Sequence, residues 1–122
     1  MRFLVVDDSS TMRRIVINTL NKLGQHECLE AGNGREGLEK LQQGPVDMII
    51  TDWNMPEMTG IEFIRAVRGM DGFASVPVLM VTTNAAKDDI VEALRAGVNN
   101  YVVKPFTPDT IKEKIDAVLT AK

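Results

Sequence analysis

The sequence predicts an α/β fold: a five-stranded parallel sheet, strand order 2-1-3-4-5, with helices on both faces. Three observations lead there. Short apolar runs recur at 3–6, 28–31, 48–50, 77–81 and 101–103. All but the weaker run at 28–31 lack the polar alternation of a half-solvated strand, as strands covered on both faces do. Amphipathic segments of helical spacing follow each run, so strand and helix alternate five times. That order calls for right-handed crossovers and a parallel sheet.

The first run, Phe3-Leu4-Val5-Val6, leads into Asp7-Asp8. Met12, Ile15, Val16, Thr19, Leu20 and Leu23 then follow the i, i+3, i+4 rule of a helix face, and Gly24 supplies a stop. After the second run, Leu38 and Leu41 mark a helix that Gly44-Pro45 ends. The third run leads to Asp52, and Ile61, Ile64 and Val67 carry the next helix to Gly69. The fourth leads to Thr82-Thr83, with Ile90 and Leu94 preceding Gly97. The fifth leads to Lys104. Ile111, Ile115, Val118 and Leu119 form the last helix, and Pro108 sits in its first turn, where a missing N–H costs little.

Composition narrows the function. A length of 122 residues suits one domain over 1–122, large enough to bury a core without staples. The net charge of −3 argues against a nucleic-acid binder, which would show a basic stripe. Cys28 is the only cysteine, so no internal disulfide can form and a reducing compartment fits. The opening apolar run is too short for a signal-peptide core. No stretch approaches the roughly 20 apolar residues of a membrane helix. A soluble, cytoplasmic monomer without membrane insertion is expected.

Chemistry-bearing residues stand just after the strands. Asp7 and Asp8 follow the first, Asp52 the third, Thr82 the fourth and Lys104 the fifth. In a parallel sheet these positions share one edge, and with order 2-1-3-4-5 the ligand site lies between strands 1 and 3. Two carboxylates about 5 Å apart repel by roughly 3 kcal/mol at an effective dielectric near 20. Three together call for a cation, and an all-oxygen ligand set suits Mg²⁺. Lys104 adds positive charge from the far side, and the Thr82 hydroxyl can donate to a further oxygen. The set fits phosphoryl transfer, with a carboxylate as nucleophile. Electrostatics alone does not choose that nucleophile among the three aspartates.

The segments Phe3-Leu4-Val5-Val6-Asp7-Asp8, Asp52-Trp53-Asn54-Met55-Pro56 with Gly60, Val81-Thr82, and Tyr101-Val102-Val103-Lys104-Pro105-Phe106 occur in this order. Through them the whole chain resembles response-regulator receiver domains, in particular the stand-alone chemotaxis type. The resemblance implies a flavodoxin-like (βα)5 sandwich. It implies Asp52 as phosphoacceptor, with Mg²⁺ held by Asp8, Asp52 and the backbone carbonyl of Asn54, and by Asp7 through water. Lys104 would pair with the acceptor and then the phosphoryl group. Thr82 would move onto a phosphoryl oxygen, Tyr101 would swing in behind it, and the peptide before Pro105 would be cis. The donor would be a histidine kinase. The output would be the flagellar motor switch, met by Lys87, Ile90, Leu94, Tyr101, Val103 and Lys114. Such a protein is a switch, not an enzyme, with autophosphorylation and autodephosphorylation only. Two positions depart from the enteric members. Thr83 stands for a small alanine and Asn84 for an acidic residue, which bears on dephosphorylation and on any phosphatase partner. Asn54 belongs with them in tuning that rate.

Other readings compete. A receiver that relays phosphate onward shares every motif. A flavodoxin-like electron carrier would use Ser9-Ser10-Thr11 as a phosphate loop, but Asp7-Asp8 would repel the flavin phosphate and glycines are missing there. A magnesium-dependent hydrolase with an aspartyl nucleophile would want Asp-x-Asp after the first strand. Arg13 and Arg14 read as a solvated helix face, His26 as an exposed turn residue and Cys28 as a small buried apolar group. Trp53 is expected to be partly exposed, with no chemical role.

Overall fold

The computed structural model describes residues 1–24, 27–83, 86–104 and 106–120. His26, Asn84, Pro105 and the side chains of Leu23 and Leu119, all read above, lie outside the described residues. Among the described residues five strands alternate with five helices: β1 (Arg2–Val6), α1 (Ser10–Leu23), β2 (Glu27–Ala31), α2 (Gly34–Gln42), β3 (Met48–Asp52), α3 (Gly60–Arg68), β4 (Val78–Thr82), α4 (Lys87–Ala96), β5 (Asn100–Val103) and α5 (Pro108–Thr120). The sheet is parallel throughout, in the order β2-β1-β3-β4-β5. Each run read from the sequence is a strand, within a residue or two at its ends.

Successive residues of a strand point to opposite faces, so each central strand feeds two cores. Phe3 and Val5 of β1, with Met48 and Ile50 of β3 and Leu79 and Val81 of β4, pack against α1 and α5 through Val16, Leu20, Ile111, Ile115 and Val118. Leu4, Val6, Ile49, Val78 and Met80 face the other way, onto α2, α3 and α4 through Leu41, Ile61, Phe63, Ile64, Val67, Ala93 and Ala96. Burial on both faces holds for β3 and β4 along their length. The edge strands depart from it: Glu27 and Glu30 of β2 and Val103 of β5 are exposed. Cys28 is half-buried rather than buried, for the same reason. Among the described residues no helix is long and apolar enough to cross a membrane.

Register aligns the strand ends that matter. Val6 pairs with Thr51 and Asp52 with Val81, while Thr82 pairs with Val103. Asp7, Asp52, Thr82 and Lys104 therefore stand at one edge. Local signals fix the helices leaving that edge. The Ser9 side chain accepts the Met12 N–H at the start of α1. Thr59 and Glu62 form a reciprocal capping box at the start of α3.

Candidate functional site

The site begins with three carboxylates. Asp7, Asp8 and Asp52 each bring one oxygen within 4.8 Å of the others. Asp7 and Asp52 are buried, at 4% and 8% exposure, and Asp8 is exposed. The Asp7 backbone N–H donates to the Ala31 carbonyl at 3.1 Å, extending the β1–β2 pairing by one residue. Its Oδ1 accepts the Ser9 N–H at 2.9 Å. Asp52 Oδ1 accepts the Trp53 N–H at 2.9 Å and lies 3.2 Å from Lys104 Nζ.

Lys104 does not sit beside Asp52 in the sheet, since β4 lies between β3 and β5. Its backbone N–H donates to the Thr82 carbonyl at 2.7 Å, which keeps the chain paired to β4. Its side chain then spans the end of β4 and reaches both Asp52 Oδ1 and Asp7 Oδ2, the latter at 3.6 Å. Burial pushes the Asp52 carboxyl above its ordinary value, against the pull of Lys104 and the Trp53 N–H. Burial likewise raises Asp7, against the Ser9 N–H, with Asp52 adding to the rise and Lys104 opposing it. One ammonium thus faces three carboxylates, two of them buried. That excess of negative oxygen, with no nitrogen or sulfur in the cluster, fits a hard divalent ion such as Mg²⁺.

The remaining predicted residues surround this cluster. Thr82 closes β4 and is buried, at 1% exposure, while Thr83 beside it is exposed. Asn54 is exposed, two residues past Asp52. Trp53 is half-buried against the core on the α3 side. On the α4–β5–α5 side, Lys87, Leu94 and Val103 are exposed and Ile90 is half-buried. Tyr101 is half-buried against the same core as Trp53, and Lys114 Nζ lies over its ring, 5.4 Å from the centroid.

Two residues were underread in the sequence. Arg13 does not lie on a solvated helix face. Its side chain is only 18% exposed; Nη1 donates to the Asp7 carbonyl at 2.6 Å and Nε to Glu30 Oε1 at 3.1 Å. No periodicity links a helix residue to a carbonyl six positions back, so pattern alone could not show it. Gly60 appeared only as part of a motif. Its N–H donates to the Trp53 carbonyl at 2.7 Å, and a Cβ here would collide with the Asp52 carbonyl. The signal was available: a glycine opening the helix that follows an acidic strand end allows close backbone approach.

Comparison with known proteins accounts for this arrangement. Residues 3–116 match the response regulator receiver domain family. The chain is 52% identical over 120 residues to chemotaxis protein CheY1 of Helicobacter pylori, covering 98% of this chain and 97% of that protein. It is 52% identical over 118 residues to chemotaxis protein CheY of Pseudomonas aeruginosa, covering 97% and 95%. The crystallised Vibrio cholerae chemotaxis response regulator CheY4 superposes with a TM-score of 0.91 at 40% identity, over 96% of this chain and 97% of that one. The chain belongs to the response regulator receiver domain family.

Proposed function

We propose that this receiver domain is a phosphorylation switch of chemotaxis, taking a phosphoryl group on Asp52 from a phosphohistidine of a histidine kinase. One observation carries the reading: the single ammonium of Lys104 stands 3.2 Å from Asp52 and 3.6 Å from Asp7, facing three carboxylates. Asp8, Asp52 and the Asn54 carbonyl would hold Mg²⁺, with Asp7 contributing through water. The bound ion supplies charge neutralisation for the phosphoryl oxygens.

The chain's own residues do the rest. An Asp52 carboxylate oxygen attacks phosphorus; the O–P bond forms as the P–N bond to imidazole breaks, and the leaving nitrogen takes a proton from solvent. Lys104 pairs with a phosphoryl oxygen. The added charge, nearly two negative units with three acceptor oxygens, draws the Thr82 hydroxyl. Tyr101 moves into the space Thr82 leaves. The change is read at Lys87, Ile90, Leu94, Tyr101, Val103 and Lys114, and the state with Tyr101 inward gains population as any ligand-biased equilibrium does. The protein is a switch rather than an enzyme, a cytoplasmic monomer acting as one receiver unit over 1–122. Small phosphodonors can substitute for the kinase, and loss of phosphate is tuned by Asn54, Thr83 and Asn84 together with any phosphatase.

The names of the relatives favour chemotaxis, and the motor switch as output follows from that. Trp53 adjoins Asp52 and reports on the site. Its fluorescence should change on adding Mg²⁺ and again on adding acetyl phosphate, and Asp52→Asn should abolish the second change. A normal second response in that variant places the phosphate elsewhere. A flagellar motor-switch peptide should bind more tightly with beryllofluoride than without; equal affinity removes the motor and leaves a phosphorelay receiver.

A further inference from the structure

The Asp7–Asp8 peptide is held from behind by the Arg13 side chain. Arg13 Nη1 donates to the Asp7 carbonyl at 2.6 Å, and Arg13 Nε is itself seated on Glu30 Oε1 of β2 at 3.1 Å. The Asp7 carbonyl belongs to the peptide that joins Asp7 to Asp8. Fixing it fixes the plane from which the Asp8 Cα and carboxylate project. Asp7 is tied at several further points: its N–H to Ala31, its Oδ1 to Ser9 and its Oδ2 to Lys104. Among the described residues, Asp8, exposed at the rim, has only its backbone to place it among these bonds.

We infer that Arg13, seated on Glu30, is a positioning residue that sets the Asp8 carboxylate for a divalent cation through the Asp7–Asp8 peptide. The inference rests on the reading of the acidic cluster as a Mg²⁺ site. It opposes a simpler view of the same residue. Arg13 is a cation close to an acidic cluster, and charge alone would make it weaken binding of a second cation. The two views predict opposite signs. Removing the arginine charge tightens Mg²⁺ binding if only charge matters and weakens it if the peptide loses its brace. Partners that orient metal ligands from behind cost about 10–100-fold in affinity when removed. An exposed carboxylate held through one peptide belongs at the low end, about tenfold.

The test is a Mg²⁺ titration of the full chain followed by Trp53 fluorescence, with the metal alone as probe. Wild type responds and Asp8→Asn does not; absence of a wild-type response would sink the metal site itself, separately from the role of Arg13. Arg13→Gln is expected to bind about tenfold more weakly. Equal or tighter binding overturns the inference. Should Arg13→Gln not fold, Arg13→Lys decides. It keeps the charge and loses the forked donor geometry, so it is expected to weaken binding about threefold or more, and unchanged affinity overturns the inference. Phosphorylation by acetyl phosphate gives a second readout. At saturating Mg²⁺ the variant rate returns to the wild-type rate. A rate still depressed there assigns Arg13 to the phosphodonor and overturns a role through Asp8.

Discussion

Neutralising Asp7 is expected to stabilise the metal-free protein. Asp52 lies within 4.8 Å and repels Asp7 by about 3.5 kcal/mol at an effective dielectric near 20. The exposed Asp8 repels it by a screened fraction, roughly half as much. Lys104 at 3.6 Å attracts it by about 4.6 kcal/mol. The charges nearly balance, leaving a net repulsion of about 0.6 kcal/mol. Burial, the largest influence on the Asp7 carboxyl, acts in the same direction and decides the sign. Asp7→Asn keeps an oxygen for the Ser9 N–H and leaves Lys104 its closer partner, Asp52. The variant should therefore be more stable than wild type in EDTA at neutral pH by about 1–2 kcal/mol, or about 5 °C in Tm. Urea denaturation read by Trp53 fluorescence measures it, with an unchanged m-value. Added Mg²⁺ should narrow the gap, since it stabilises wild type by about 2.7 kcal/mol at a hundredfold excess over Kd and the variant by less. The pH dependence has a defined sign. The folded values of Asp7 and Asp52 both lie above the ordinary 3.8. The native state then binds more protons than the unfolded state between 3.8 and the raised values, and wild-type stability falls as pH rises through that interval. Asp7→Asn should flatten the fall. A variant less stable than wild type in EDTA would refute the claim that the cluster is held against its own repulsion.

Other outcomes follow from the same site. Glu57 has φ of 68°, and Met58 N–H donates to the Pro56 carbonyl at 2.7 Å across it, a γ-turn of the strained hand. Glu57→Gly should raise the urea midpoint by about 1 kcal/mol of stability, and an unchanged midpoint would show that the turn stores nothing. Gly60→Ala drives a methyl group against the Asp52 carbonyl, so it should cost about 2–4 kcal/mol and slow acetyl-phosphate labelling; wild-type stability would mean that α3 shifts freely. Thr83 is exposed immediately beyond the buried Thr82, and on the proposed reading its β-branched side chain crowds the approach of water. Thr83→Ala should lose phosphate faster than wild type, measured by decay of labelled protein, and an equal or slower decay would refute the crowding.

Legibility in the sequence divided along physical lines. The central strands announced themselves because both faces are covered, so Phe3 to Val6 and Val78 to Val81 contain no polar residue. The edge strand β2 was weak in the sequence because Glu27 and Glu30 are exposed in the fold. The strand-end residues were legible because a parallel sheet sends every carboxyl end to the same edge, which turns four distant positions into one cluster. What could not be read was side-chain reach. Lys104 stands just past β5, and nothing in its local pattern shows that it spans the end of β4 to touch Asp52 and Asp7. Arg13 lies on α1, and nothing in its spacing shows that its side chain turns inward to donate to the Asp7 carbonyl.

The edge position of β5 also bears on how a charge at Asp52 can be read elsewhere. Tyr101 lies on β5 and Lys104 just past its end, three residues on; Lys104 is directed to the carboxylates and Tyr101 to the core facing α4. Among the described residues β5 has a strand partner only in β4, and it spans four residues. Moving a side chain there disturbs one ladder instead of two, so the cost of switching is lower than at β3 or β4, where every residue is buried. Thr82 sits on the neighbouring strand, with its carbonyl already bonded to the Lys104 N–H. On the proposed reading, a phosphoryl group that recruits Lys104 and Thr82 would pull on an edge strand, and Tyr101, half-buried with Lys114 over its ring, is a group there that can gain from further burial.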